Sequence, residues 1–353
     1  MKKYIPIILL VGMLLACNAV KAVVVGVLSR PSRIGEPLTA AHQRPGAGTH
    51  LSQSTTDQGS FSFAITSDMR YFSGPGQYDM SQYYRGALEA LDTAGKGAFM
   101  ISAGDIDPPV DVYWTITRTL GITYTWYPVV GNHELPGAGV EPGYVAGANM
   151  DWLRNYDYGT VNPGPSGCPT TTYSFDANNV HFVVLNEYCD SSADDVTDGD
   201  IPDHLYNWLS NDLSFTTRPL IFVIGHEPAY PQPDADTGGV RHLGDSLDKY
   251  PANRDRFWSL LHDKGVTAYI CGHTHGYSLV KIEGVWQLDT GHSQGSGETD
   301  PPSTFVVIHV DDGAVTFKTY RVNGSSAYIL KYMGILEPKS VVYMPVVFSG
   351  YPR

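Results

Sequence analysis

Thr267-Ala-Tyr-Ile-Cys-Gly-His-Thr-His275 is a short apolar run that stops at a glycine and then presents two imidazoles one residue apart. Such a run, bounded by glycine, predicts a buried strand, and two histidines at its end seldom serve packing. Five runs upstream share the form. Phe61-Ser-Phe-Ala-Ile-Thr66 leads into Ser67-Asp68, and Ala98-Phe-Met-Ile-Ser102 leads into Gly104-Asp105. Tyr127-Pro-Val-Val130 leads into Gly131-Asn132-His133-Glu134. His181-Phe-Val-Val-Leu185 leads into Asn186-Glu187, and Leu220-Ile-Phe-Val-Ile224 leads into Gly225-His226. Between the runs lie helical stripes: Tyr84, Ala87, Leu88 and Leu91; Leu205, Trp208, Leu209 and Leu213; Phe257, Leu260 and Leu261. Strand alternating with helix predicts a layered α/β domain.

The flanks read differently. Phe305 to Val310, Val315 to Val322 and Ala327 to Tyr332 predict C-terminal strands, with Asn323-Gly324 as a hairpin turn between the last two. At the other end Lys2 and Lys3 precede an apolar run from Ile5 to Leu15, the pattern of an export signal and too short to span a bilayer. Leu14-Leu15-Ala16-Cys17 resembles a bacterial lipobox, which would make residues 1–16 the signal peptide and Cys17 a lipidated N-terminus. Cleavage after Val20-Lys21-Ala22 is the alternative. Residues 17–60 read as a tether or arm rich in Gly, Pro, Ser, Thr and Gln. Residues 61–353, including the strands of 303–353, read as one domain. The expected location is exported, periplasmic or at the cell surface, either lipid-anchored through Cys17 or secreted. In an oxidising compartment Cys168 and Cys189 are the candidate disulfide, and Cys271, in an apolar run, is a buried thiol.

Composition narrows the classes. With 353 residues, 42% of them hydrophobic, and 23 Tyr, 12 Phe and 6 Trp, the chain is neither disordered nor too small for a large core. Four cysteines are too few for a disulfide scaffold. A net charge of −13, from 23 bases against 36 acids, opposes binding of long nucleic acid. A small anionic substrate then requires a locally positive site.

Polar groups at the carboxyl ends of strands in an α/β sheet share one crevice. Here those ends carry Asp68, Asp105, Asn132, His226, His273 and His275. Oxygen donors mixed with imidazoles suit divalent transition metals better than calcium. Six donors exceed one tetrahedral zinc site, so two adjacent ions are implied.

The ordered set Asp68, Gly104-Asp105, Gly131-Asn132-His133-Glu134, Gly225-His226 and Gly272-His273-Thr274-His275 resembles the calcineurin-like metallophosphoesterase superfamily, which includes the purple acid phosphatases. The resemblance covers roughly residues 61 to 295. It implies a two-sheet β-sandwich flanked by helices, with the C-terminal strands in the second sheet. It also implies two divalent ions (Fe, Mn or Zn) and hydrolysis of a small phosphorylated substrate, a mono- or diester. Asp105 would bridge the ions. Asp68 and His275 would hold the first, and Asn132, His226 and His273 the second. His133 would face the phosphate as a catalytic group; Arg70, Glu134 and His242 are further candidates for substrate contact.

One departure stands out. The first motif of the superfamily usually continues Asp-x-His, but here it is Asp68-Met69-Arg70. Purple acid phosphatases lack that histidine and supply a tyrosine three residues after the second aspartate; Pro108 stands there in this chain. The first ion is therefore a ligand short, and a colourless protein is expected. A guanidinium is a poor ligand. Arg70 has three readings: a clamp on a phosphate oxygen, a mark of a weak first site, or an ion-pair partner of a carboxylate such as Glu134. The same departure motivates the competing class, a non-catalytic binding or scaffold lipoprotein on the same fold. The acidic stretch Asp190, Asp194, Asp195, Asp198 and Asp200 reads as a solvated loop, His292 as an edge contact of the site, and His181 as a packed or surface histidine.

Overall fold

The computed structural model describes residues 59–70, 77–136, 147–190, 198–296, 301–324 and 326–337. The predicted export signal, Cys17, nearly all of the predicted tether and residues 338–353 lie outside them. In chain order the elements are Phe61–Thr66 (β1), Tyr84–Ala94 (α1), Phe99–Ser102 (β2), Pro109–Leu120 (α2), Thr125–Pro128 (β3), Ala148–Arg154 (α3), Asn162–Pro163 (β4), Tyr173–Ala177 (β5) and Val180–Val184 (β6). There follow Asp203–Phe215 (α4), Leu220–Ile224 (β7), Pro251–Asp263 (α5), Ala268–Cys271 (β8), Tyr277–Ile282 (β9) and Val285–Thr290 (β10). Thr304–Asp311 (β11), Ala314–Val322 (β12) and Tyr328–Glu337 (β13) close the described chain. None of its described helices is long and apolar enough to cross a membrane.

Two sheets face each other. One has the order β13-β12-β11-β1-β2-β3, the other β4-β5-β6-β7-β8-β10-β9. The first sheet is parallel along β1-β2-β3, which ends at its edge strand β3, and the second is parallel through its middle, along β6-β7-β8-β10. Strand alternation divides the apolar residues. Phe63, Phe99, Phe182, Phe222 and Ile270 point into the cleft between the sheets. Ala64 and Met100 point outward under α1, α2 and α3, whereas Val183, Val223 and Tyr269 point outward under α4 and α5. The result is a helix–sheet–sheet–helix stack. Its middle is an aromatic lattice, with Phe63 edge-on to Phe182 at 5.0 Å and Phe182 stacked on Phe175 at 5.0 Å and Phe222 at 5.6 Å. Such pairs add about 0.5–1.5 kcal/mol each beyond the area they bury.

The structure differs from the sequence expectations at four points. The third strand ends at Pro128 rather than Val130, because a proline has no N–H for the ladder, although Val129 N still reaches Ser102 O at 2.9 Å. Helix α2 was not foreseen. Pro-Val-Asp-Val-Tyr-Trp-Thr-Ile-Thr is rich in β-branched residues, which disfavour helix, but burying Val112, Ile116 and Leu120 on one face outweighs propensity. The C-terminal strands are not in the second sheet: β11 pairs antiparallel with β1 and so extends the first. The Asn323-Gly324 turn is also longer than a two-residue hairpin, closed by Asn323 N bonding Ala327 O.

A buried charge cluster ties this C-terminal extension to the rest. Arg321 on β12 is 1% exposed. It donates to Asp234 at 2.7 Å, Asp236 at 2.8 Å and Thr304 at 2.9 Å. Removing one member of such a pair leaves the other charge buried and uncompensated. Arg321→Met is therefore expected to destabilise the fold by about 3–5 kcal/mol, read by urea denaturation. A second cluster sits on β5, β6 and α4. His181 bridges Asp176 and Asp212, each at 2.8 Å. Burial pulls its pKa down, but the two carboxylates outweigh burial and raise it from 6.5 to about 9. The histidine is thus a packed, charged one. A raised folded pKa stabilises fully below 6.5 and is lost as pH rises through about 9, a contribution of roughly 3 kcal/mol. Unfolding free energy measured from pH 6 to 10 should fall across that window in the wild type and fall less in His181→Gln.

Candidate metal centre

The ends of the parallel strands of both sheets meet at one edge of the sandwich. Asp68 lies just beyond β1, Asp105 beyond β2, Asn132 and His133 beyond β3, His226 beyond β7, and His273 and His275 beyond β8. Backbone conformation there is unusual. Asp68, Asp105, His242, His273 and His275 all have left-handed φ, between 50° and 68°, and make up five of the nine such non-glycine residues described. That conformation costs on the order of 1–3 kcal/mol per residue and persists only where surroundings enforce it. Here it turns each side chain sharply off its strand end toward a common centre.

Two glycines let the ends approach. At Gly104, with φ of 87°, a Cβ would overlap the ring of His226. At Gly272 a Cβ would overlap the carboxylate of Asp68. These glycines precede Asp105 and His273, so the Gly-Asp and Gly-His pairs are a steric requirement of the meeting.

Hydrogen bonding decides which atoms face the centre. His226 Nδ1 donates to Ala103 O at 2.7 Å, which leaves a lone pair on Nε2. His273 Nε2 donates to Asp245 O at 3.2 Å, which leaves a lone pair on Nδ1. Yet His226 Nε2 lies 3.3 Å from His273 Nδ1, 3.2 Å from Asn132 Oδ1 and 3.4 Å from Asp105 Oδ1. Four acceptors thus converge with no proton among them. Beside them Asp68 Oδ2 accepts the His273 N–H at 2.9 Å, while Asp68 Oδ1, fully buried, has no hydrogen-bond partner and lies 3.6 Å from His275 Nε2. Ligand atoms of Asp68, Asp105 and His226 all fall within 4.8 Å of one another.

The titration shifts agree with that geometry. Burial, and then the Asp105 charge, push Asp68 well above the usual carboxylate range. Burial acts the same way on Asp105, but the imidazoles of His226, His133 and His273 outweigh it and hold Asp105 at about 2. Burial and the neighbouring His226 lower His273 to about 3, and burial with His292 lowers His275 well below 6.5. Neutral imidazoles, an ionised carboxylate and a second carboxylate starved of partners are the donor set a cation satisfies. The residues present fit divalent ions.

A second layer of side chains holds the ligands. Glu187, past the end of β6, accepts the N–H groups of His226 at 2.9 Å and Glu227 at 2.7 Å and the hydroxyl of Tyr269. Thr274, between the two ligand histidines, donates to Asp289 at 2.5 Å. Burial raises both Glu187 and Asp289 to about 7. Neither acid was singled out from sequence, although Asn186-Glu187 ends a strand like the metal motifs and was open to the same reasoning.

The other candidates resolve as follows. Glu134 is not a substrate group. It is 1% exposed and braces the loops from below, accepting N–H groups of Gly131 at 2.6 Å, Ile106 at 2.8 Å and Asp105 at 3.1 Å. Nor is Glu134 the partner of Arg70. The carboxylate that faces Arg70 is Asp107, with Oδ1 3.2 Å from Arg70 Nε. Arg70 NH1 also donates to His133 Nε2 at 3.0 Å, and that atom lies 3.8 Å from Asp105 Oδ2. His242 is half-buried with its ring 4.1 Å from that of His273, so it stands at the centre's rim. His292 points its ring toward His275 at 5.7 Å, but Nε2 donates to Pro301 O, so it supports the edge. Cys168 and Cys189 form a disulfide, and Cys271 is a buried free thiol. Part of the acidic stretch after Asp190 lies outside the described residues; Asp198 within it pairs with Lys249 at 3.0 Å.

Two sheets whose parallel strands end in carboxylates, an amide and imidazoles around a proton-free acceptor cluster define a metallophosphoesterase-type fold and centre. The family model described as calcineurin-like phosphoesterase matches residues 61–277, and the chain belongs to that family. Purple acid phosphatase 22 of Arabidopsis thaliana is 26% identical over 220 residues, which is 60% of this chain and 45% of that protein. The chain thus spans about half the length of that relative. Purple acid phosphatase PPD1 from seeds of yellow lupin, Lupinus luteus, superposes with a TM-score of 0.52 at 14% identity, covering 78% of this chain and 54% of that one. The structure of PhoD superposes with a TM-score of 0.54 at 12% identity, covering 80% and 72%. At such identities the superpositions show a shared fold.

Gly104→Ala should destabilise the protein by about 1–3 kcal/mol and sharply reduce its bound metal, measured by denaturation and elemental analysis. Wild-type values for both would mean that the close approach to His226 is not required.

Proposed function

We propose that this protein is an exported, metal-dependent phosphoesterase that hydrolyses a small phosphate mono- or diester. The observation that carries the reading is the meeting of His226 Nε2, His273 Nδ1, Asn132 Oδ1 and Asp105 Oδ1 with no proton to share. Family membership supports phosphoester hydrolysis as the reaction class. Asp68, Asp105 and His275 would hold one divalent ion; Asp105, Asn132, His226 and His273 would hold the other. Ions bound there supply Lewis acidity, which makes water nucleophilic near neutral pH and offsets phosphoryl charge.

The chain's own groups do the rest. Asp105 reaches both donor sets, and its backbone partner is the His133 N–H at 3.0 Å, so bridging carboxylate and catalytic histidine are held as one unit. His133 Nε2 accepts from Arg70, which keeps the ring's proton on Nδ1. A phosphate oxygen that draws the guanidinium to itself frees Nε2 to take up a proton from water, and the protonated ring can then donate that proton to the leaving oxygen. Arg70 is the fixed positive charge suited to that oxygen, in a protein whose net charge is −13. His242, at the rim, is placed to touch the esterifying group. The acidic balance still opposes long nucleic acid as substrate. The Cys168–Cys189 disulfide supports an oxidising location, and Cys17 is the proposed lipid anchor, the route by which the protein would meet a membrane.

Arg70 in place of a ligand is the one observation that favours a non-catalytic binding or scaffold protein instead. A single experiment separates the two. The chelated protein is reloaded with Mn²⁺, Zn²⁺ or Fe²⁺ and assayed on an aryl phosphate and a bis-aryl phosphate. Turnover that disappears on chelation and returns on reloading is expected. Absence of both metal and turnover after all three loadings would overturn the enzyme reading.

A further inference from the structure

We infer that Arg70 makes the two ion sites unequal: the site of Asn132, His226 and His273 holds its ion tightly, while that of Asp68 and His275 is an exchangeable site filled only when free divalent ion is abundant. The inference rests on the metal reading above and specifies how that centre is regulated.

The donor sets differ in number and in preparation. The second site has four donor groups, Asp105, Asn132, His226 and His273. Both imidazoles are locked in the tautomer that presents a lone pair, by Ala103 O and Asp245 O. The first site has Asp68, Asp105 and His275. One oxygen of Asp68 is engaged by the His273 N–H, so Oδ1 alone remains to bind. Asp107, two residues beyond Asp105 and 2% exposed, is the nearest carboxylate in sequence able to make up the shortage. Its Oδ1 is instead paired with Arg70 Nε at 3.2 Å. The guanidinium therefore acts twice. It holds Asp107 in an ion pair, and, two residues along the chain from the first-site carboxylate Asp68, it carries a permanent positive charge against His133 Nε2, which lies 3.8 Å from Asp105 Oδ2. A cation entering the first site, whose carboxylate Asp68 is two residues from that charge, would meet its repulsion with fewer donors to offset it. Loss of supporting ligand interactions typically weakens metal affinity by roughly 10–100-fold, and that is the expected separation between the sites.

A phosphoesterase so built is switched by the free divalent-ion concentration: one ion resides permanently, and the other completes the centre on demand. Arg70 is a positioning and specificity residue for the metal, and the decisive measurement is binding rather than turnover. The full chain, stripped and then titrated with Zn²⁺ or Mn²⁺, is followed by calorimetry, with ion content read by elemental analysis after dialysis. Expected are one ion retained per chain and a second class of sites roughly 10–100-fold weaker. In Arg70→Met, which keeps an unbranched side chain without the charge, the weak class should tighten by about tenfold, because Asp107 is released and the repulsion removed. The tight class should not move. Asp107→Asn, which removes the carboxylate facing Arg70 Nε, should weaken the second class further. Two equally tight ions in the wild type would overturn the inference and leave the proposed function standing. So would a second class unaffected in Arg70→Met whose circular dichroism matches wild type. Failure of the wild type to bind any ion would instead overturn the metal reading on which the inference depends.

Discussion

Lone pairs that face one another across a gap with no hydrogen between them repel, and a protein interior sharpens that repulsion. Asp105, Asn132, His226 and His273 are in that position. Their conflict is imposed from outside the centre. Ala103 O takes the proton of His226 on the far side of its ring, and Asp245 O does the same for His273. Both carbonyls belong to loops that follow or cover strand ends, so the packing of the two sheets dictates the tautomers. The chain carries an arrangement that is unfavourable alone and of the kind that cations satisfy.

Holding such a cluster requires compensation nearby. Left-handed backbone at Asp68, Asp105, His273 and His275 is balanced by buried acids that gather backbone N–H groups. Glu134 does this beneath Asp105, and Glu187 beneath His226. Asp289 receives the hydroxyl of Thr274 between the last two ligands. Each of these acids is itself buried and pushed toward its neutral form. Part of the protein's negative charge is thus spent at this edge, where some carboxylates face the candidate centre and others brace the loops that carry it.

Distant parts of the chain reach the same edge. Arg321, on a strand near the end of the described chain, fixes Asp234, whose carboxylate also accepts the N–H of Tyr277 two residues past His275. Asp234 opens the loop that carries His242 against His273 and presents Asp245 O to the same histidine. Through this strut the C-terminal strands, which only extend a sheet by topology, help to position the loop at the rim. Around Arg70 the packing has another effect. A residue that in the resembling superfamily is a metal ligand becomes here one end of an ion pair with Asp107.

Period-two apolar runs and helical stripes were legible without coordinates because they depend on local geometry. Phe63 and Ile65 alternate with Ala64 whatever the rest of the chain does. The strand-end motifs were legible for the same reason: a glycine followed by Asp or His marks a sharp turn off a strand. Propensity misread α2, since burial of Val112 and Ile116 is a tertiary gain that local sequence does not express. The partner of Arg70, the bracing role of Glu134, the destination of the C-terminal strands and the contribution of Glu187 were decided only in three dimensions. Each depends on residues far apart in sequence, as Glu187 and His226 are. Which acid is a ligand, a brace or a counter-ion depends on distances that composition and spacing do not contain. The sequence by itself determined the elements and the chemical types at their ends; the tertiary structure decided which atoms face the same few ångströms of space, because the two sheets pack in one register and their loops must share it.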